Sequence, residues 1–199
     1  MKNITTKIIL VVFIITISVS IIYKISSNNI AEGNVLKSGY IFNDEFEAVD
    51  HNGSKFTNEN LNGKYKLIFF GFTSCPAICP NELGKLTNIL NRLNGDELSS
   101  ILPVFITVDP ERDNPDKIKK YLEMFHSNIT GITGTPDQIN NIVDIYKAHT
   151  KRIDIEEMNT YMFDHSTHIY FIDPNNKLIS LYKMTEKPDD IVMSIRKKL

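Results

Sequence analysis

The chain has little cysteine, little net charge and no early arginine. Its 199 residues include only two cysteines, too few for the four thiolates of a common iron–sulfur cluster. The formal net charge of −2 excludes the broad basic face that nucleic-acid binding requires. The first arginine is Arg92, which argues against an Arg-rich organellar transit peptide. Internal repeats and low-complexity segments are also absent from the sequence.

One long apolar run is present, and it lies at the N-terminus. Residues 8–23 carry no charge, lysines flank them on both sides, and Ile25 extends the run. A helix over residues 8–23 would measure about 24 Å, slightly less than a ~30 Å hydrocarbon core. We therefore predict a transmembrane anchor over residues 8–25. The alternative is a cleaved signal peptide, for which Ser18-Val19-Ser20 is a weak cleavage site.

Both interpretations export the remainder of the chain. The two lysines before the run favour a cytoplasmic N-terminus over residues 1–7. Residues 26–38 are polar and without periodicity, which predicts a linker, and residues 39–199 then form the folded domain.

Strand and helix patterns alternate through this domain. Asn52-Gly53 is typical of a hairpin turn, and strongly apolar runs predict strands over residues 64–73, 102–109 and 167–173. Helices are predicted over residues 81–93, 115–125 and 136–148 and from Pro188 onward, with an acidic loop over residues 150–163. The alternation indicates an α/β fold around one sheet.

The two cysteines lie in the segment GFTSCPAICP, between the first buried strand and the first helix. Ligand sites gather at such strand ends in open α/β sheets. The start of a helix favours a thiolate, so we expect a lowered cysteine pKa. Pro80 disfavours a helical conformation at Cys79, which predicts a loop or tight turn between Cys75 and Cys79.

Three uses of the cysteine pair compete. A structural disulfide would close too short a loop to add much stability, and a domain of this size can bury an adequate core without one. Thiol oxidoreductases of the thioredoxin type use C-x-x-C, whereas three residues separate Cys75 from Cys79. The wider spacing still permits a disulfide, and it suits two thiolates around a metal ion. A redox site and a metal site therefore both remain open at this point.

A metal site needs a further ligand, and the chain has five histidines. His51 belongs to a turn, and His126 and His149 lie near predicted helix ends. His168 falls inside a strand pattern, which favours packing. His165 directly precedes that strand and is free to reach a site at the edge of the sheet, so it is the candidate third ligand.

Four segments occur in a recognisable order: GFTSCPAICP, FITVDPERDNP, GITGT and DHSTHIYFIDP. Together they resemble the Sco/SenC family of copper-binding cytochrome oxidase assembly proteins, over a match from about residue 64 to the C-terminus. The resemblance implies a thioredoxin-like fold with an N-terminal membrane anchor. It also implies that Cys75, Cys79 and His165 bind copper, and that Asp109 lies near the site without binding the ion.

Two details of the resemblance concern the surroundings of the cysteines. Thioredoxin folds generally place a cis-proline against the active cysteines, whereas Asp164-His165-Ser166 takes that place here. On this alignment, the proline that shields a disulfide in those folds is replaced by a segment that can bind a metal. Many members of the family also carry an acidic residue where this chain has Ala77, which removes a local negative charge.

The ligand chemistry also favours copper. Two thiolates suit Cu(I), and an added imidazole completes a set that accepts Cu(II) as well. A structural zinc site would normally have a fourth protein ligand, and no third cysteine exists. Outside the cytosol the thiols tend to oxidise, so loading the site with copper requires a reductant.

These observations predict a membrane-anchored copper metallochaperone for the binuclear copper site of cytochrome c oxidase subunit two. We expect a bacterial inner-membrane protein whose domain faces the periplasm. The expected partners are that subunit, a copper donor protein and a thiol reductant. The alternative is a thiol-disulfide oxidoreductase that reduces the cysteines of the same site, so enzyme activity remains open.

Overall fold

Nine strands and five helices follow one another within residues 36–199, the part of the chain that the computed structural model describes. The strands are β1 (Glu47–Asp50), β2 (Lys55–Thr57), β3 (Tyr65–Gly71), β4 (Ile101–Thr107), β5 (Thr130–Thr133), β6 (Thr150–Ile155), β7 (Thr160–His165), β8 (Ile169–Ile172) and β9 (Leu178–Tyr182). The helices are α1 (Ile78–Leu90), α2 (Gly95–Ser99), α3 (Pro115–Leu122), α4 (Pro136–Ile145) and α5 (Pro188–Arg196).

The predicted anchor over residues 8–25 lies outside the described residues, as does most of the predicted linker. None of the helices within residues 36–199 combines the length and the apolar character that crossing a membrane requires.

Seven of the strands form one mixed sheet in the order β2-β1-β5-β4-β3-β8-β9. The three strands β3, β4 and β5 run parallel, and the outer strands pair antiparallel with their neighbours. At the centre of the sheet, Leu67, Ile68, Phe69 and Phe70 of β3 are fully buried. The apolar run over residues 64–73 predicts this strand, because a strand covered on both faces has no exposed side to carry polar residues.

Several local predictions are confirmed. Asn52-Gly53 turns the chain between β1 and β2, and Gly53 has the positive φ of +81° that favours glycine. Asn114 caps α3 by accepting a hydrogen bond from the Lys117 backbone N–H at 2.9 Å. Thr135 and Gln138 form the expected capping box at the start of α4.

The predicted loop over residues 150–163 is wrong, because β6 and β7 form an antiparallel hairpin there. Most side chains of β6 are exposed, so the segment lacks the apolar alternation that marks a strand. His165 is consequently the last residue of β7 and not part of a loop. The sequence patterns also do not predict strand β5, which overlaps the start of the segment GITGT.

The predicted loop between the cysteines is present at Pro76 and Ala77, but the expected non-helical conformation of Cys79 is wrong. Helix α1 begins at Ile78, so Cys79 lies in its first turn and Pro80 is the next helical residue. Proline is tolerated there because the first backbone N–H groups of a helix have no partner within the helix. The predicted buried face of α1 is present, with Leu83, Leu86, Ile89 and Leu90 fully buried.

The sheet brings three chain segments to one edge. Gly71 of β3 pairs with Thr107 of β4, so the cysteine loop and the segment after β4 leave the sheet side by side. Strand β8 runs antiparallel to β3, and its first residue, Ile169, pairs with Phe69. The chain between β7 and β8, which follows His165, therefore reaches the same edge.

Candidate metal centre

The three residues expected to bind a metal lie together at this edge of the sheet. One ligand atom from each of Cys75, Cys79 and His165 lies within 4.8 Å of the other two. Cys79 Sγ and His165 Nε2 lie 3.5 Å apart. These are distances that a single ion could bridge with modest side-chain movement.

The cysteine loop is fixed by hydrogen bonds at both ends. The Cys79 backbone N–H donates to Cys75 Sγ at 3.4 Å, which holds the first sulfur near the start of α1. Before the cysteines, the Thr73 backbone N–H donates to the buried carboxylate of Asp113 at 2.9 Å. Thr107 of β4 donates to the same carboxylate at 2.7 Å. Asp113 therefore ties the loop to the neighbouring strand.

Sequence reasoning did not single out Asp113. The available signal was its place in FITVDPERDNP, in the segment that follows β4, the strand beside the cysteine-bearing β3. An acidic residue there can cap the loop of the neighbouring strand, but its burial follows only from the assembled sheet.

The two cysteines differ in exposure. Cys79 is fully buried, whereas Cys75 is half-buried. Burial raises the pKa of the Cys79 thiol, so the expected lowering is wrong for this residue. Removing water from the sulfur disfavours the thiolate more than the start of the helix favours it. A bound cation supplies the positive charge that a buried thiolate lacks, so metal binding and deprotonation are coupled.

The His165 ring presents a lone pair to the sulfurs. Its Nδ1 lies 2.9 Å from the Ser166 carbonyl oxygen, which can only accept, so Nδ1 carries the proton. Nε2 then faces Cys79 as an acceptor. Burial lowers the pKa of His165, which favours the neutral imidazole that metals bind. The rings of Phe69 and Phe72 hold this orientation, with centroids 6.1 and 5.7 Å away.

A cleft of about 220 Å³ opens beside the three candidate ligands. One of its walls comes from the cysteine loop and the other from β7. Exposed Pro76, Ala77 and Ile78 form part of the rim, so the site is accessible from this side. Cys75 lines this cleft, whereas Cys79 does not.

Asp109, which the resemblance places near the site, has partners of its own. Its carboxylate forms an ion pair with Arg112 and accepts a hydrogen bond from the Tyr161 hydroxyl at 3.0 Å. It does not belong to the group of three potential ligands found among residues 36–199.

Three of the four other histidines have hydrogen-bond partners. His51 Nδ1 accepts the Gly131 backbone N–H at 2.8 Å, and His126 Nδ1 accepts the Asn128 N–H at 3.1 Å. His149 contacts Asp164 at 3.2 Å on the surface.

A mixed α/β domain that carries a cysteine pair at the start of a helix, opposite an imidazole, defines a thioredoxin-type protein adapted to hold a soft metal ion. The SCO1/SenC family model matches residues 36–199, the whole described part of the chain. The chain belongs to this family.

Known relatives agree with this assignment. An SCO2-like protein of Rickettsia conorii is 42% identical over 170 residues, covering 84% of this chain and 80% of that protein. The copper-bound structure of Bradyrhizobium japonicum ScoI has a TM-score of 0.73 at 31% identity, covering 82% of this chain and all of that one. Copper-bound yeast Sco1 has a TM-score of 0.71 at 35% identity, covering 81% and 88%. The thioredoxin-like α/β fold is thereby confirmed.

Proposed function

We propose that this chain binds copper through Cys75, Cys79 and His165 and delivers it to the binuclear copper site of cytochrome c oxidase subunit two. The observation that carries the proposal is the convergence of two sulfurs and one imidazole nitrogen within 4.8 Å. This donor set accepts both Cu(I) and Cu(II). Membership of the SCO1/SenC family and the copper-bound relatives support the choice of metal.

The unequal burial of the two cysteine residues suggests how the ion leaves. An acceptor thiolate can approach through the cleft and meets half-buried Cys75 first. Exchange at Cys75 leaves the ion on Cys79 and His165, and a second acceptor thiolate then completes the transfer. Buried Cys79 is thus the last cysteine of this chain to release the ion.

The proposal includes an anchor over residues 8–25 and a linker over residues 26–38, with the domain over 39–199 facing the periplasm of a bacterial inner membrane. The apolar run and its flanking lysines support this arrangement. The proposed partners are the oxidase subunit, a copper donor protein and a thiol reductant. The reductant is needed because only thiolates bind copper.

The test uses the full-length chain in detergent, reduced under anaerobic conditions and titrated separately with Cu(I) and Cu(II). We expect His165→Ala to lose at least about tenfold in Cu(II) affinity, equivalent to about 1.4 kcal/mol. It should retain most of its Cu(I) affinity, because two thiolates remain. His126→Ala is the control, since His126 lies outside the group of three ligands. A wild-type chain that binds no copper but reduces a disulfide substrate contradicts the proposal.

A second candidate is a thiol-disulfide oxidoreductase acting on the cysteines of the same oxidase site. The half-buried Cys75 thiol favours it, because an accessible sulfur close to a second thiol can attack and then be released by that partner. Cys75→Ser would abolish such a reductase. His165→Ala would leave the disulfide exchange in place while impairing Cu(II) binding, which separates the two functions.

A further inference from the structure

Tyr161 of β7 lies between two arginines. The guanidinium carbons of Arg112 and Arg152 lie 3.8 and 3.6 Å from the centre of its ring. Its hydroxyl lies 3.0 Å from Asp109 Oδ1 and 3.3 Å from Glu111 Oε2. Loss of water around the hydroxyl, together with the bond to Asp109, raises the pKa of Tyr161 to about 12, so the hydroxyl stays a donor. We call these five residues the Tyr161 clamp.

The clamp joins two parts of the fold that the strands themselves do not connect. Asp109, Glu111 and Arg112 belong to the segment after β4, which is anchored in the seven-stranded sheet. Tyr161 and Arg152 belong to the hairpin of β6 and β7, and this hairpin forms its own two-stranded sheet. The clamp therefore fixes the hairpin against the edge of the main sheet.

The same strand carries the candidate imidazole ligand. Side chains of a strand alternate between its two faces, so Tyr161 and His165 share one face of β7, with Phe163 between them. Phe163 packs edge-on against Phe72, at a centroid distance of 5.8 Å, and Phe72 packs against the His165 ring. A displacement of β7 at Tyr161 is thus passed along a short, continuous set of contacts.

We propose that Tyr161 is a positioning residue, and that the Tyr161 clamp holds β7 so that the His165 imidazole stays at the cysteine sulfurs. The inference rests on the proposed function, in which His165 binds copper. Cu(I) is satisfied by two thiolates, whereas Cu(II) depends on the added nitrogen ligand. The clamp therefore sets the affinity for Cu(II) and has little influence on Cu(I).

The first measurement compares Cu(II) and Cu(I) affinities of full-length wild type and Tyr161→Leu, with the Cu(II) electron paramagnetic resonance spectrum as the signature of nitrogen ligation. We expect at least a tenfold loss in Cu(II) affinity, a changed nitrogen hyperfine pattern and Cu(I) affinity within threefold of wild type. Lys151→Ala is the matched control, because Lys151 is exposed on the same hairpin and its side chain has no hydrogen bond or ion pair within residues 36–199.

A second variant keeps the inference testable if Tyr161→Leu misfolds. The Arg152 side chain is exposed, so Arg152→Ala removes one of the two guanidinium groups that pack on the Tyr161 ring without opening the core. We expect a smaller loss, about threefold, again confined to Cu(II). Equal losses of Cu(I) and Cu(II) affinity in either variant would indicate a general structural role and overturn the inference.

The decisive arm is a double-mutant cycle with His165→Ala. If Tyr161 acts through the imidazole, Tyr161→Leu has no further effect on Cu(II) affinity once the imidazole is removed. The same fold-loss in both backgrounds refutes the inference. Failure of the underlying function is distinguishable, because His165→Ala would then leave Cu(II) binding unchanged by itself.

Discussion

Gly71 ends β3 directly before the cysteine loop, and its missing side chain leaves room for the Cys79 sulfur. A Cβ at this position would lie 2.9 Å from Cys79 Sγ and 3.0 Å from ring atoms of Phe69 and Phe105. Favourable contacts between such atoms begin at about 3.5 Å, so Gly71→Ala must displace the sulfur or the rings by roughly 0.5 Å. Overpacking of this kind costs about 1–3 kcal/mol of unfolding free energy.

The same displacement should weaken copper binding, because ligand sets tolerate misplacement of only about 0.5 Å. We expect a loss of at least about tenfold in Cu(I) affinity, or about 1.4 kcal/mol. The assays are urea unfolding of the reduced metal-free chain and competition for copper with a chelator of known affinity. Both cysteines remain in the variant, so the loss would come from geometry alone.

Gly84→Ala is the matched control. Gly84 lies in α1 and an added Cβ there would meet nothing within 4 Å. Alanine in a helix interior is favoured over glycine by about 0.5–1 kcal/mol, so this variant should be slightly more stable and bind copper normally. The reasoning is refuted if Gly71→Ala matches wild type in copper affinity and unfolds within about 0.5 kcal/mol of it.

Three further predictions concern stability. Burial lowers the pKa of Lys66 to about 8 from 10.5, so the unfolded chain binds more protons between these values and stability rises with pH there. Lys66→Met should lack this rise. In urea unfolding, the difference in unfolding free energy between wild type and this variant should therefore change by about 3 kcal/mol between about pH 7.5 and about pH 10.5. A difference that stays constant with pH contradicts the prediction. Asp113→Asn should lower the free energy of unfolding by about 1–3 kcal/mol. It should also weaken copper binding, because it loosens the cysteine loop at Thr73, and unchanged copper titrations contradict this second part. Thr135→Ala removes a helix cap and should lower the free energy of unfolding by about 1 kcal/mol without changing copper affinity. A change in copper affinity contradicts this prediction.

The sequence predicts the central fold because its signals there are local. The run that forms β3 is uniformly apolar, and Asn114 and Thr135 carry their capping chemistry within three residues. The candidate site was predicted in the same way for the cysteines, which are close in sequence. His165 required both a place before a strand and the resemblance to a family, since no spacing rule connects it with Cys79.

The remaining features depend on the assembled structure. Strand β6 has mostly exposed side chains, so no hydrophobic period reveals it. The direction of the Cys79 pKa shift depends on how completely the core covers the sulfur, which the residues next to it do not specify. The Tyr161 clamp joins segments about 50 residues apart through charge and ring contacts. Such contacts produce no periodic pattern in the sequence.

The separation of the three proposed ligands along the chain has a thermodynamic consequence. Cys75 and Cys79 are four positions apart, whereas His165 follows Cys79 by 86 residues. An unfolded chain can bring both thiols to one ion, but holding the distant imidazole there also requires closing a long loop against entropy. An ion that binds only the native state stabilises it by about 1.4 kcal/mol for each tenfold excess over its dissociation constant, and binding to the unfolded chain reduces that gain. At equal native affinity, Cu(II) should therefore raise the melting temperature more than Cu(I), and thermal unfolding becomes a reporter of the oxidation state that the protein carries.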